Sequence, residues 1–393
     1  MTVQVSPVNP VHERDLQRWK LIADFRSRLE KLAQDHPQDP RWQDRRRLLH
    51  QFDYLSLFLF ALVNPVLKTL RGLSAASELT RVQQEVCGSY ASLGSLSETQ
   101  HLLDPVLLEK LMASLRAQIP GPCPKDPRQA WQVWLARDSS IFQATERMFW
   151  AQYGAGKSGC ANHAVRLHVS FHLWEEEPAR VAVTAGKVCE RRMWREQLEP
   201  GATYVGDRYF AEDYKMFALL QSKGCHYVLR LRDEAVVNVL EENALSAADQ
   251  KAGLLSDVWA QLGSRQRTGR VRVVTVRKPS GTIMRLVTNF TPQEMSASDI
   301  LTLYRRRWQI ECYFRWIKCL LGCRHWLAQS PAGVTAQLYL AVIAGLLLHL
   351  VLGTRPNKRL WERMQFYLMG WATIEELMSA VQKALDKQSA KKT

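Results

Sequence analysis

The stretch TYVGDRYFAEDYKMFALLQSKGCHYVLRL, residues 203–231, decides the fold class. A short apolar run predicts a strand over 203–206, helical spacing predicts a helix over 211–223, and a second apolar run predicts a strand over 226–231. Strands that alternate with helices in this way build parallel or mixed sheets. The stretch therefore predicts an α/β fold.

Three more strand patterns and a helix precede this stretch. The strand patterns cover residues 131–137, 164–174 and 180–184, and the helix covers 188–198. Three strands, a helix, a strand, a helix and a strand indicate a mixed sheet. Asp138 follows the first strand and Asp207 follows the fourth. We expect both at carboxyl ends of strands, where open α/β sheets place their sites.

The remainder of the chain is predicted to be helical at both ends, around a sheet with an insertion. Ile119–Pro127 contains four prolines in nine residues and predicts a linker. In the insertion, a helical stretch is expected before a hairpin over 270–287. The expected order is a helical N-terminal DNA-binding domain (1–118), a linker (119–130), the core's first part (131–232), a β-containing insertion (233–297), a core helix capped by Ser298 (298–330), a helical C-terminal region (331–385) and a disordered tail (386–393). For the N-terminal region, a helical scaffold is the alternative to a helix-turn-helix reader of DNA.

The composition favours a polyanionic partner. Lys and Arg number 53 against 38 Asp and Glu, so the net charge is +15. Such a charge favours nucleic acid or an anionic membrane. The first residues lack the apolar region of a signal peptide. The apolar stretches Tyr54–Val63 and Leu338–Leu352 fall short of the ~20 residues of a membrane span. We expect two buried helices, no membrane partner and a cytoplasmic location.

The segment YRRRWQIECYFRWIK, residues 304–318, carries the most informative polar pattern. Tyr304, Arg307, Glu311 and Lys318 are three, four and seven residues apart, which places them on one stripe of a helix. A plain surface helix with an Arg–Glu pair is the alternative. The apolar residues between them leave little of the helix for solvent, which favours a lined cleft.

Asp138, Asp207 and Glu311 form a candidate metal site. Three carboxylates offer the oxygen ligands that divalent cations such as Mg²⁺ prefer. Two such ions activate a water or hydroxyl and stabilise the leaving oxygen in phosphoryl transfer. Each aspartate has a simpler alternative, since many strand-end aspartates cap the next helix.

These residues resemble those of a known family. Tyr-x2-Arg-x3-Glu-x6-Lys, matched by residues 304–318, resembles the YREK signature of DDE-type insertion-sequence transposases, in the group called insertion-sequence family four. Asp138-Ser-Ser-Ile-Phe-Gln-Ala resembles the segment with the family's first aspartate. Val205-Gly-Asp-Arg-Tyr-Phe210 resembles the segment with its second, although Tyr209 stands where the family usually has glycine. The resemblance covers residues 130–330.

The resemblance implies a ribonuclease H-like mixed-sheet catalytic core with a β-rich insertion, flanked by helical N-terminal and C-terminal regions. Asp138, Asp207 and Glu311 are then the catalytic residues and bind two Mg²⁺ ions, with Mn²⁺ as a substitute. Trp259 is the candidate to stack a flipped base. The full expected DNA-binding set is Tyr304, Arg307, Lys318, Trp308, Arg208 and Trp259.

The activity that the resemblance implies is cut-and-paste transposition. The protein would bind terminal inverted repeats in double-stranded DNA, cleave them with Mg²⁺ by way of a hairpin intermediate, and join the ends to a target. It would act as a homodimer or a larger synaptic complex at the bacterial nucleoid. Two alternatives stay open: a domesticated metal-dependent DNA endonuclease, and a catalytically idle DNA-binding protein on the same fold.

Overall fold

The structure is a computed structural model that describes residues 20–119, 133–155, 161–264, 268–320, 326–353 and 355–392. Most of the predicted linker lies outside these residues. The chain divides into two compact units. The sheet unit contains residues 121–141 and 165–313, and the helical unit contains residues 1–120, 142–164 and 314–393.

The strands and helices are numbered in chain order. The strands are β1 (Trp134–Gln143), β2 (Gln152–Ala155), β3 (Ala161–His172), β4 (Glu177–Ala185), β5 (Thr203–Gly206), β6 (His226–Arg230), β7 (Val237–Glu242), β8 (Leu254–Leu262), β9 (Val271–Arg277) and β10 (Ile283–Thr288). The helices are α1 (Lys20–Ala33), α2 (Gln51–Val63), α3 (Leu70–Ala76), α4 (Thr80–Val82, continued by a π-helical turn to Cys87), α5 (Leu93–Thr99), α6 (Pro105–Arg116), α7 (Glu190–Glu196), α8 (Tyr214–Ser222), α9 (Ala247–Lys251), α10 (Ala297–Arg306), α11 (Trp308–Leu320), α12 (Pro331–Leu352), α13 (Lys358–Leu368) and α14 (Ile374–Lys392).

The sheet unit contains a mixed sheet in the order β4-β3-β1-β5-β6-β10-β9-β8-β7. β1, β5 and β6 run parallel, while β10 pairs antiparallel with β6. After the meander of β1, β3 and β4, the chain forms the parallel strands β5 and β6, which are preceded by α7 and α8. This is the mixed sheet that the ribonuclease H-like prediction requires, and the predicted fold class is confirmed. The insertion strands β7 to β10 extend the same sheet.

The two faces of the sheet pack against different helices. On one face, Tyr227 stacks on Phe217 of α8 with ring centroids 5.1 Å apart, within a large buried apolar cluster. On the other face, His226 stacks on Phe290 at 4.2 Å. Helix α10 packs against β6. The apolar face anchors the strands, which leaves the second face for polar side chains.

The helical unit is built around α12, which packs against α2 and α6. The sequence prediction that this apolar stretch is too short to span a membrane is wrong, because Ser330 caps a helix of 22 residues that begins at Pro331. By length and composition this helix could cross a bilayer, but 83% of its most apolar window is buried inside the protein. The prediction of a buried helix is confirmed.

Three local predictions differ from the structure. The core helix is capped by Ser296 instead of Ser298, and it divides at Arg307 into α10 and α11. The stretch expected to be helical before the hairpin contains strands β7 and β8 with only the short α9 between them. Helix α14 continues to Lys392, where a disordered tail was expected, because that segment has no glycine or proline to end it.

Gly206, the last residue of β5, packs closely against two buried apolar side chains. An added Cβ would lie 2.9 Å from Cδ2 of Leu229 and 3.1 Å from Cδ2 of Phe210. We predict that Gly206→Ala lowers the free energy of unfolding by about 1–3 kcal/mol through overpacking. Gly154→Ala is the control, because no atom of the described residues lies within 4 Å of its added Cβ. Denaturant titration measures both variants, and equal losses would contradict the prediction.

Candidate active site

Asp138 and Asp207 are brought side by side by the register of two parallel strands. The register of β1 and β5 pairs Ala136 with Val205. Extended by two residues, it pairs Asp138 with Asp207, and paired residues of parallel strands project from the same face. Asp207 directly follows β5, as predicted. The prediction that Asp138 lies at the end of β1 is wrong, because β1 continues to Gln143.

The environment of Asp138 disfavours its charge. Burial raises the pKa of Asp138 to about 7, and the carboxylate of Asp207 also raises it. The backbone N–H of Ser139, which donates to Oδ1 at 2.8 Å, and the guanidinium of Arg307 oppose this rise. Two neighbouring carboxylates in a partly buried setting repel each other, so a cation near them lowers the free energy of the pair.

Arg307 is the cation that reaches this pair. One of its terminal nitrogens lies 3.6 Å from Oδ2 of Asp138, and the other donates to Oε1 of Glu311 at 2.5 Å. Its side chain is only 14% exposed. The three predicted carboxylates are therefore connected in a row: Asp207 beside Asp138, and Glu311 linked to Asp138 through one guanidinium. Such a row needs Arg307 as its counter-charge.

The donor set has the chemistry of a divalent-cation site, but it is not assembled as one. Within the described ranges, no three or more His, Cys, Asp or Glu side chains are grouped so that they could hold a metal ion. Asp138 and Asp207 supply a pair of hard oxygen donors, which suits Mg²⁺. Glu311 would join them only after exchanging its bond to Arg307.

The tyrosines of the two signature segments have ordinary roles in the structure. Burial raises the pKa of Tyr304, while Arg307 and Arg230 lower it, so its phenol lies among these cations. Tyr209 adopts a right-handed helical backbone, with φ of −63°, and its N–H donates to Oδ1 of Asp207. The turn after Asp207 therefore does not require the glycine that the resembled family usually has. Arg208 beside it is exposed.

The other predicted DNA-binding residues are Trp259, Trp308 and Lys318. Trp259 is on β8, under the guanidinium of Arg270 at 4.6 Å. Strands β6, β10 and β9 stand between β8 and β5, a separation of roughly 19 Å at the usual strand spacing. Trp308, the first residue of α11, is 55% exposed. Lys318 belongs to the helical unit, where its Nζ lies 5.5 Å from the ring centre of Phe142.

Sequence reasoning missed the contacts that hold the helix pair carrying Glu311. The turn after β3 places Trp174 under Arg306 at 3.8 Å, and Glu176 accepts from Nε2 of Gln309 at 2.6 Å. These contacts lie on either side of the helix break at Arg307. Glu176 has a φ of +57°, a backbone conformation that costs an L-residue about 1–2 kcal/mol. No spacing rule could have linked residues so distant in sequence.

The sheet order and the acidic row define the class as a ribonuclease H-like α/β domain. The chain belongs to the family described as "Transposase DDE domain", whose model matches residues 132–347.

Curated proteins with similar sequences are transposases by name. The chain is 26% identical over 245 residues to "Probable transposase for insertion sequence element IS5377" of Geobacillus stearothermophilus, covering 61% of this chain and 62% of that protein. It is 27% identical over 202 residues to "Putative transposase y4zB" of Sinorhizobium fredii, covering 50% and 56%. It is 20% identical over 317 residues to "Putative transposase for insertion sequence element IS4SA" of Synechocystis, covering 79% and 84%. The matched segments therefore span less than two thirds of the first two relatives.

The raised pKa of Asp138 predicts a pH-dependent stability difference. Its ordinary value is 3.8, so between about pH 4 and pH 7 the folded chain holds a proton that the unfolded chain has released. Ionisation of Asp138 therefore destabilises the fold as the pH rises. We expect Asp138→Asn to be more stable than the wild type at pH 8 in EDTA, by roughly 2–4 kcal/mol at most. The difference should shrink towards pH 5 in thermal unfolding. A difference that is constant across this range would contradict it.

Proposed function

We propose that this chain is the transposase of a mobile DNA element, which binds terminal inverted repeats, cleaves DNA strands and joins them to a target. The observation that carries the proposal is that the register of β1 and β5 leads to Asp138 and Asp207, whose carboxyl groups interact electrostatically, with Glu311 one guanidinium away. Membership of the transposase family supports it. Since the match spans only part of the first two relatives, the activity of the whole protein is part of the proposal.

Mg²⁺ dependence follows from the chemistry of the three carboxylates. Asp138, Asp207 and Glu311 would hold the ions, with Mn²⁺ as a substitute. Bound ions of this kind supply an activated water and stabilise the leaving oxygen in phosphoryl transfer. The chain's own contribution is to keep the aspartates adjacent in a partly buried setting and to neutralise them with Arg307 until they are used. When Glu311 leaves Arg307, the freed guanidinium can bind a DNA phosphate.

The DNA partner is supported by charge and by the groups around the acidic row. The net charge of +15 favours binding to a polyanion. Tyr304, Arg307 and the exposed Arg208 lie close to the carboxylates in sequence or in space and would contact phosphates. Lys318, in the helical unit, is proposed as a separate phosphate contact. Joining two DNA ends requires that two active sites act together, so the proposal includes a homodimer or a larger synaptic complex.

The hairpin intermediate is also part of the proposal. Two tryptophans are candidates to stack the flipped base. Trp259 was the expected residue, and three strands stand between its strand, β8, and β5. Trp308 follows Arg307 directly and is about half exposed. An aromatic ring that stacks a flipped base must reach the bases next to the cleaved phosphate. This requirement favours Trp308.

We predict that Asp138→Ala, Asp207→Ala and Glu311→Ala each abolish Mg²⁺-dependent cleavage of a duplex that carries the element's terminal repeats. Binding of that duplex in EDTA should stay within a few-fold of the wild type. Glu242→Ala is the matched control, because this exposed glutamate lies on β7, at the far edge of the sheet. Gel analysis of cleaved strands and fluorescence anisotropy provide the two measurements.

The same assay separates the alternatives. Cleavage without joining to a target duplex would indicate the endonuclease, and binding without any cleavage by the wild type would indicate the idle DNA-binding protein. Full cleavage by any one of the three carboxylate variants would remove that residue from the active site.

The two tryptophans are compared in the hairpin step. We expect Trp308→Ala to reduce hairpin formation at least tenfold. Nicking of the first strand should be retained, because hairpin formation needs a stacked base and nicking does not. Trp259→Ala should leave both steps near wild-type levels. Denaturing gels resolve nicked and hairpin products, and the reverse outcome would assign the stacking role to Trp259.

A further inference from the structure

Arg230 continues the acidic row across a third strand. The register of β5 and β6 pairs Gly206 with Leu229, so its next position pairs Asp207 with Arg230. Since neighbours in parallel register project from the same face, Asp138, Asp207 and Arg230 form one line across β1, β5 and β6. The sequence analysis did not select Arg230.

The guanidinium of Arg230 has a hydrogen-bond donor that is left unsatisfied. Its Nε is buried and has no hydrogen-bond partner among the residues that the structure describes. Its ion pair is with Asp233, at 3.8 Å, and that carboxylate is 63% exposed. An arginine has five N–H donors, and a buried donor without an acceptor costs free energy. A guanidinium with a buried, unsatisfied donor can therefore accept a further anionic partner.

The surroundings of Arg230 show where that partner would lie. Arg230 and Arg307 both act electrostatically on the phenol of Tyr304, and Asp207 does so with the opposite sign. Arg230 therefore lies near the residues at the active site. Arg232, two residues further along, differs from it: its side chain is 57% exposed and pairs with Glu212.

We propose that Arg230 binds a non-bridging oxygen of a DNA phosphate next to the one that is cleaved. This inference rests on the proposed function. Arg307 contacts the acidic row between Asp138 and Glu311, and Arg230 extends the line of strand residues beyond Asp207. A DNA backbone that runs along this line would therefore meet both cations. The forked donors of a guanidinium match the geometry of a phosphate.

The test compares Arg230→Ala and Arg230→Lys with Arg232→Ala in the full chain. Affinity for the terminal-repeat duplex and for a scrambled duplex is measured by fluorescence anisotropy in EDTA at several NaCl concentrations. We expect Arg230→Ala to weaken binding roughly tenfold and to reduce the salt slope by about 0.9, the contribution of one phosphate. Arg230→Lys should keep the slope, since it keeps the charge, but lose part of the affinity. Arg232→Ala should match the wild type.

The outcomes distinguish the inference from the proposed function. An unchanged salt slope in Arg230→Ala would overturn the inference, even if the wild type cleaves its ends normally. If the wild type neither prefers nor cleaves terminal-repeat DNA, the proposed function fails, while the slope on the scrambled duplex still decides the phosphate contact. Thermal unfolding checks that each variant is folded, and Arg230→Gln replaces the alanine variant if that one is not.

Discussion

The in-register pairing of the parallel strands β1, β5 and β6 is the constraint on which the site depends. It places Asp138 and Asp207 next to each other although 68 residues of chain separate them. Two neighbouring carboxylates repel each other when both are charged, and burial strengthens this repulsion. The sheet can tolerate this because its opposite face is firmly packed, with Tyr227 and Leu229 inside a closed apolar cluster. The packing of the apolar face therefore offsets the repulsion between the two aspartates on the opposite face.

Arg307 reduces the repulsion between the carboxylates in the free protein. Its guanidinium contacts Asp138 and Glu311 at once and therefore holds the third carboxylate in a neutral pair. The pair also separates Glu311 from the aspartates, which explains why the donors have suitable chemistry without being grouped around one point. In this arrangement one arginine stabilises two of the three carboxylates of the free site.

The sequence was sufficient for the features that are encoded locally. The strand and helix runs predicted the mixed sheet. The spacing from Tyr304 to Lys318 identified the helix with Glu311, although the single stripe expected over these residues is divided at Arg307 into two helices. The sequence was insufficient where tertiary contacts determine the local structure. β7 and β8 are strands because they pair with each other and with β9, although their own sequence favours a helix. Arg230 was missed because its position depends on strand register, which no single segment encodes.

The position of Glu311 also depends on contacts from outside its helix. The helix pair α10 and α11 tightens at Arg307, where the backbone N–H bonds to the carbonyl of Tyr304, three residues earlier. The turn after β3 contacts the pair on both sides of this point, through Trp174 and Glu176. A left-handed backbone at Glu176 persists only where surrounding contacts determine it. Since β3 neighbours β1, the strand that carries Asp138, these contacts tie the third carboxylate to the same sheet that positions the first two.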